Sequence, residues 1–571
     1  MKYEYVTDKL TLKDAIDLLS RSEFLFLDTE TTEKDIRLIQ LGNEEYIFVI
    51  DLFELPESVE VLKTLIGSKG IVGHNLKFDL KFLAKYGIFP NATFDTMIAS
   101  QLLRREKHSL AYLAYSFLGM NLDKSYQLSN WASPVLSKGQ VEYAAFDVEV
   151  LRPLFPILRD KLNEKGMEHP LLKTKTARIF GLKNPSAIIE MAFVKEVAKL
   201  EMNGFPVDVG KIETLTKEYE KRKQKLIIEF ITKYRIDPMS PKQVGKFLKE
   251  RGYDLPETAK GNIATDDKVL ADYAGNEEVD LILEIRKLKK YADKLEEIKS
   301  NLKGNRVFPE FKQIGAVTGR MSSSNPNVQN IPRDMRNLFM AEEGNVFVIA
   351  DFSQIELRIA AEYVKETKMI QAFKEGKDLH TYTASIILEK PEDEVTKEDR
   401  QSAKAVNFGL IYGISAKGLA SYAKASYGIN MSVDEAEVIR EKFFRHFSKF
   451  KEWHEDIKRK LREEKEVKGE TLLGRYYVAH TFTDATNYPI QGTGADILKL
   501  AVLLFNINLE KEEIKAKVVN LVHDEIVVEC KEDYSEKVKD LLEKAMREAG
   551  RYALKLVPIE VESVISKRWE K

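Results

Sequence analysis

At 571 residues the chain exceeds what one hydrophobic core supports, and length alone points to about three or four domains. Apolar residues make up 44% and charged residues 32%, the balance of a globular protein with a heavily charged surface. A single cysteine, Cys530, excludes a disulfide framework and a cysteine-based zinc site, and a net charge of −2 means that a polyanionic partner is met by local basic patches rather than by a global field.

The N-terminus MKYEYVTDKL lacks an apolar leader, and no apolar run approaches the roughly 18 residues that a membrane span needs. The expectation is a cytoplasmic protein without a membrane partner, and the Lys/Glu-rich composition leans toward a heat-adapted source. Residues 24–52 read as three short β runs, FLFLDTE, RLIQLG and YIFVIDL, in an antiparallel meander. IVGHN gives way to the periodic KFDLKFLAKYG, a helix ended by Gly87, and amphipathic stretches continue to about residue 165. EKGMEHPLLKTK marks a domain boundary. From about 188 to 304 the pattern is almost wholly helical, with Ser240 as an N-cap and Pro241 at the first helical position. Between Arg286 and Lys299 six basic residues stand against three acids, which is either a solvated helix face or a helix lying along phosphate backbone. VFVIADF is then an apolar strand capped by an acid, long helices follow to about 470, and VVNLVHDEIVVEC is a second strand pair turning at His523, Asp524 and Glu525.

Asp28 and Glu30 alternate on a strand, so both carboxylates face one way. Asp79 at a helix start and Asp147, with Tyr143 one helical turn before it, complete a set of four acids and a tyrosine. Clustered oxygen ligands suit magnesium or manganese, and two such ions activate a water and stabilise the leaving oxygen in phosphodiester hydrolysis. Tyr143 is placed to orient that water. The segment resembles the exonuclease superfamily that carries this set, which implies an RNase H-like domain. Proofreading and RNA trimming both stay open on these motifs.

Asp351 and Asp524 end apolar strands and can converge in one sheet as a second two-metal site, here for phosphoryl transfer to a 3′ hydroxyl. Between them Arg400, Lys404, Phe408 and Tyr412 follow one another at intervals of four, along one helix stripe. Two cations followed by two aromatics grip a triphosphate and then offer a flat face to base and sugar.

Five blocks carry a closer resemblance: TGRMSSSNPNVQNIP at 318–332, DFSQIELR at 351–358, Arg400 to Gly413, NYPIQGTGAD at 487–496 and VHDE at 522–525. They resemble family A DNA polymerases in order and spacing, in a short thermophile-type form. The resemblance implies an α/β multi-domain chain: a 3′-5′ exonuclease domain at 1–170 and a right-hand polymerase at 171–571. The latter divides into thumb (about 188–310), palm (about 311–365 and 450–571) and fingers (about 366–449).

It further implies that Asp351 and Asp524 bind two magnesium ions, which manganese replaces, with Glu525 assisting at most. Gln354, His380, Arg400, Lys404 and Phe408 contact the incoming nucleotide, Phe408 disfavouring dideoxynucleotides. Glu356 and Tyr412 exclude ribonucleotides. Arg320, Asn487, Gln491 and His523 probe the primer terminus in the minor groove, where acceptors are similar for every base pair. Thr483 stands where the family often has a basic residue. The implied partners are primer-template DNA and deoxynucleoside triphosphates, and the implied state is a monomer. Because the first acids fall at Asp28, no 5′ nuclease domain and no flap cleavage are expected. The lack of a long insertion between Leu295 and Phe311 predicts limited processivity. A trimming nuclease leaves the later blocks unexplained, and a non-catalytic binding protein needs no converging acids.

Overall fold

In the computed structural model, residues 2–123, 125–167, 182–258 and 260–570 are described. The three N-terminal β runs pair as the expected antiparallel meander: β2 (Phe24–Thr31), β3 (Ile36–Gly42) and β4 (Ile47–Asp51). Three shorter strands extend it in parallel, giving the order β1-β4-β3-β2-β5-β6, with β1 at Glu4–Val6, β5 at Gly70–Gly73 and β6 at Ala92–Asp95. Helix α1 (Leu76–Leu83) runs on through a 3-10 turn to Gly87, whose φ of +68° stops it. Helix α2 (Lys138–Glu164) buries Val141, Ala144, Ala145, Val148 and Leu151, the 3.6-residue stripe that lays it on the sheet. The domain boundary expected at 170/171 lies outside the described residues.

Helix α3 (Ser186–Asn203) belongs to two cores at once. Ala187, Met191, Val194 and Ala198 pack with the N-terminal sheet, whereas Ile189, Phe193, Val197 and Leu200 pack with the C-terminal half. Both sets repeat at intervals of three and four and lie on opposite sides of one helix, the mark of a helix buried all round. Beyond it, α4 (Val209–Tyr234) and α5 (Glu277–Ser300) form a long pair whose outer part has its own small core around Phe230, Leu248 and Ile282.

Strands β7 (Asn345–Phe352), β8 (Ala516–Val522), β9 (Glu525–Lys531) and β10 (Val561–Ser566) make an antiparallel sheet in the order β8-β9-β7-β10. The β8–β9 turn is tighter than expected: only His523 and Asp524 form it, and Glu525 opens β9. Helices α6 (Ile355–Val364), α7 (Leu379–Leu388) and α8 (Lys397–Ile411) follow β7. Helices α9 (Phe482–Lys511) and α10 (Ser535–Ala553) pack together, and α10 lies on the sheet against β7 and β10. The expectation that no apolar run approaches membrane length needs correcting. Helix α9 is long and apolar enough to span, but 78% of its apolar window is buried inside the protein. Polar residues such as Gln491 and Asp496 interrupt the run in sequence, and they are absorbed by neighbours in the fold.

Candidate active sites

At the first site β2 presents Asp28 and Glu30, and α2 brings Asp147 to them, with one carboxylate oxygen from each within 4.8 Å of the others. Burial raises all three carboxyls, Glu30 to about 9 and Asp147 to about 7; the negative charges of Asp147 and Asp79 push Asp28 and Glu30 further up. Carboxylates at this spacing share a proton or a cation. Burial and then Asp147 raise the Tyr143 hydroxyl, which lies against that acid. The rings of Tyr126 and Trp131 flank Tyr143 at 6.2 and 6.4 Å.

Asp79 lies deeper than the other three acids of the expected set, near enough for its charge to raise Asp28 and Glu30. It is 3% exposed, and its Oδ1 accepts a 2.6 Å hydrogen bond from the Thr29 hydroxyl, so it stands behind the three clustered oxygens. Burial raises it to about 7. Asp95, which the sequence reading missed, fixes the helix that carries Asp79. Its two oxygens accept from the backbone N–H groups of Asn75 (3.0 Å) and Leu76 (2.8 Å) at the start of α1. On either side of Asp79, Lys77 and Lys81 donate to the buried Glu201 of α3, each at 2.7 Å, bolting the site to the C-terminal half.

At the second site Asp351 ends β7 in register with Glu525 on β9, and Phe352 N–H donates to the Asp524 carbonyl at 3.3 Å. The two aspartates thus share one end of the sheet. Burial, and then Glu356 and Glu525, raise the Asp524 carboxyl to about 6. Glu525 is tied elsewhere: it accepts from Trp569 Nε1 (2.8 Å) and pairs with Arg336 (3.4 Å). Two residues beside the acids have left-handed backbone, Gln354 (φ +53°) and His523 (φ +54°), a conformation that collects at functional sites.

Facing the pair, Glu356 accepts from Arg320 Nη2 and from the Tyr412 hydroxyl, both at 2.5 Å. From Ala403 to Tyr412 the partly exposed positions are Lys404, Phe408 and Tyr412, so the four-residue stripe is the helix face left uncovered. One turn earlier Arg400 makes a two-pronged bond to Asp378, Nε to Oδ1 at 3.0 Å and Nη2 to Oδ2 at 2.8 Å. Asp378, unmarked in the sequence reading, also caps α7 and takes a long contact, 3.5 Å, from Gln354 Nε2. His380 is buried, with Nδ1 3.0 Å from Asn407 Nδ2. Desolvation above all lowers it to about 4, so it is neutral at neutral pH.

On α9, Gln491 donates to Asn487 (3.1 Å) and Asn487 to the Thr483 carbonyl (2.8 Å). His523 is held below the ordinary histidine range by burial and by Arg320. In the basic run of α5, Arg286, Lys287, Lys289, Lys290 and Lys294 each pair with an acid of the chain itself. The pairs of Lys287, Lys289 and Lys290, exposed on the surface, are weak.

Residues 210–571 match DNA polymerase family A, and residues 3–163 match a 3′-5′ exonuclease family. The chain belongs to DNA polymerase family A. It is 62% identical to DNA polymerase I of Aquifex aeolicus, over the full length of both. It is 31% identical to DNA polymerase I of Borreliella burgdorferi and 30% identical to that of Pseudomonas aeruginosa, matched along the whole of this chain but over 64% and 66% of those relatives. Among solved structures, the POL domain of Pol1 from M. smegmatis, in complex with DNA primer-template and dNTP, superposes with a TM-score of 0.84 at 25% identity, covering 99% of each chain. This family A polymerase is therefore a DNA-directed DNA polymerase with a 3′-5′ exonuclease. It performs template-directed synthesis with proofreading, in DNA replication and repair. Polymerases and exonucleases of these families use divalent metal ions.

Proposed function

We propose that Asp351 and Asp524 hold two magnesium ions for nucleotide addition, and that Asp28, Glu30, Asp79 and Asp147 hold two more for excision, with manganese able to replace them. The donor chemistry supports this: both sets are oxygen ligands, and the mutual repulsion and burial that raise Asp28, Glu30 and Asp524 are relieved when a hard cation displaces the proton. Bound there, the ions supply an activated oxygen nucleophile and neutralise charge on the leaving oxygen.

The chain's own residues bind and orient. Arg400 exchanges Asp378 for triphosphate oxygens, Lys404 adds a second cation, and neutral His380 and Gln354 complete the grip. Phe408 stacks against base and sugar and disfavours a dideoxy sugar. Glu356 and the Tyr412 hydroxyl form a polar wall that leaves no space for a ribose 2′-hydroxyl. Arg320, Asn487, Gln491 and His523 test the minor groove at the primer terminus. A mispaired end frays and reaches the other site, where Tyr143 orients the attacking water. On this reading residues 1–170 are the exonuclease domain, and residues 171–571 are the polymerase. Thumb lies at about 188–310, palm at about 311–365 and 450–571, and fingers at about 366–449. The enzyme acts as a cytoplasmic monomer, without a membrane partner, on primer-template DNA and deoxynucleoside triphosphates.

The observation that carries the reading is the hydrogen-bonded chain Arg320–Glu356–Tyr412 beside Asp524, which joins terminus probe, sugar gate and acid pair in one unit. Its test is extension of a primer with a mismatched 3′ end, in magnesium and deoxynucleotides. Wild type excises and then extends. Asp28→Ala keeps extension from matched ends and loses excision, and Asp351→Ala excises without extending. Extension by Asp351→Ala at the wild-type rate would remove the second site from the reading.

A further inference from the structure

Four charged residues that none of the chemistry above uses lie at the centre of the molecule. Glu190 on α3, Arg475 in the loop of the hairpin formed by Val467–Glu470 and Tyr476–Ala479, and Asp496 and Lys499 on α9 are each at most 2% exposed. Arg475 Nη2 bonds both Glu190 and Asp496, Arg475 Nε reaches Asp496 Oδ1 at 3.1 Å, and Lys499 Nζ reaches Glu190 Oε1 at 2.5 Å. Two acids and two bases cancel, so the cluster is neutral. Buried pairs nevertheless give up strong hydration, and apolar residues of the same volume are often as stable or more so. Stability alone therefore does not account for placing four charges here.

The contacts that lead outward supply a reason. Lys499 Nζ donates to the carbonyls of Gln313 (3.0 Å) and Gly319 (2.8 Å), and Gln313 Nε2 returns to Glu190 at 2.6 Å. Gly319, directly before Arg320, has φ +85°, and a methyl group there would sit 2.6 Å from the guanidinium carbon of Arg475. Gly492, directly after Gln491, is pressed on the same assembly. A methyl on it would sit 2.8 Å from Thr471 Cγ2 and 3.2 Å from the Thr318 carbonyl. Thr471 in turn donates to Asp496 at 3.3 Å and accepts from Arg475 N–H at 3.0 Å.

We propose that Arg475, held by Glu190 and Asp496 with Lys499 bonded to the same Glu190, is the positioning residue for Arg320 and Gln491, the post against which the Arg320 backbone closes directly and the Gln491 backbone closes through Thr471. The inference rests on the reading of Arg320 and Gln491 as minor-groove contacts to the primer terminus. It deepens that reading by naming what fixes their spacing. A planar guanidinium suits the task because it packs flat beneath a glycine while its edge is bonded in fixed directions. Lysine carries the same charge without the plane or the fork.

The test is single-nucleotide addition by the full chain on matched and terminally mispaired primers, comparing Arg320→Ala, Arg475→Lys, Gly319→Ala and the double variant Arg320→Ala/Arg475→Lys. Digestion of single-stranded DNA at the exonuclease site serves as the folding control. Arg320→Ala is expected to slow addition to a matched end on the order of tenfold or more, with little change in nucleotide KM, and Arg475→Lys and Gly319→Ala to do the same. In the double variant the second change is expected to add less than about twofold, because both remove one function. Gly319→Ala removes no buried charge, so it carries the test if Arg475→Lys does not fold. Wild-type addition by Gly319→Ala or by folded Arg475→Lys, with Arg320→Ala slow, overturns the positioning role. So do effects that multiply in the double variant. Wild-type addition by Arg320→Ala instead overturns the reading of Arg320, and the inference falls with it.

Discussion

Glu30 offers the sharpest test of the excision site without any turnover. Its carboxyl moves from an ordinary 4.5 to about 9, by burial first and then by Asp147 and Asp79. Between those values the folded chain holds a proton that the unfolded chain has released, so stability falls as pH rises through the window and is fully present below about pH 4.5. Each tenfold step is worth about 1.4 kcal/mol, which sets a ceiling of about 6 kcal/mol at pH 9. The three clustered acids share that ceiling, and water entering the cleft relieves part of it. A third of it, about 2 kcal/mol, is the expected loss. For a domain of this size that lowers the midpoint of unfolding by about 4–8 °C. The assay is thermal unfolding in chelator at pH 5, 7 and 9, for wild type and Glu30→Gln. The difference between the two isolates this carboxyl. Glu30→Gln should gain on wild type as pH rises, and millimolar magnesium should abolish the gain by restoring the wild type alone. Parallel midpoints across the whole range, with or without metal, would refute the reasoning.

Three further outcomes follow from single contacts. Tyr412→Phe removes the 2.5 Å bond to Glu356, and a hydrogen bond to a charged group is worth about 1.5–3 kcal/mol. The ratio of kcat/KM for ribo- over deoxynucleotides should rise at least about tenfold. Asp378→Asn keeps a good helix N-cap but frees Arg400 from its two-pronged bond. With a competing negative charge gone, nucleotide KM should fall severalfold, by about 1 kcal/mol, and a rise in KM would count against exchange of Asp378 for phosphate. Asp95→Ala leaves the start of α1 uncapped, at a cost of about 1 kcal/mol. It should slow excision of a mispaired end while extension from matched ends stays at wild-type rate, read on the same gel.

What the sequence made legible was whatever shares an element. Asp28 and Glu30 face one way because a strand alternates, and Lys404, Phe408 and Tyr412 are one face because a helix turns every 3.6 residues. In both cases the structure agrees. The three strands of the meander were visible for the same reason, whereas β5 and β6, short and buried, carry no alternation to read. Asp79 was found, but not its depth, because nothing local says that its first partner is the hydroxyl of Thr29, fifty residues away. Left-handed backbone at Gln354 and His523 has no signature either, since neither is glycine.

The residues that hold the others in place were invisible for a related reason. Asp378, Asp95 and Arg475 never touch a substrate in the proposed chemistry, and each has, besides any local cap, a partner on another element: Arg475 meets Glu190 across 285 positions. In α9 the charges of Asp496 and Lys499 broke the apolar run, and the broken run concealed a helix that is mostly core. A buried charge without a partner is too costly to persist. An acid or base inside an otherwise apolar helix is therefore itself a signal, pointing to an opposite charge on whatever packs against that face. Read so, Asp496 and Lys499 call for one base and one acid from neighbouring elements, and Arg475 and Glu190 are the residues that answer.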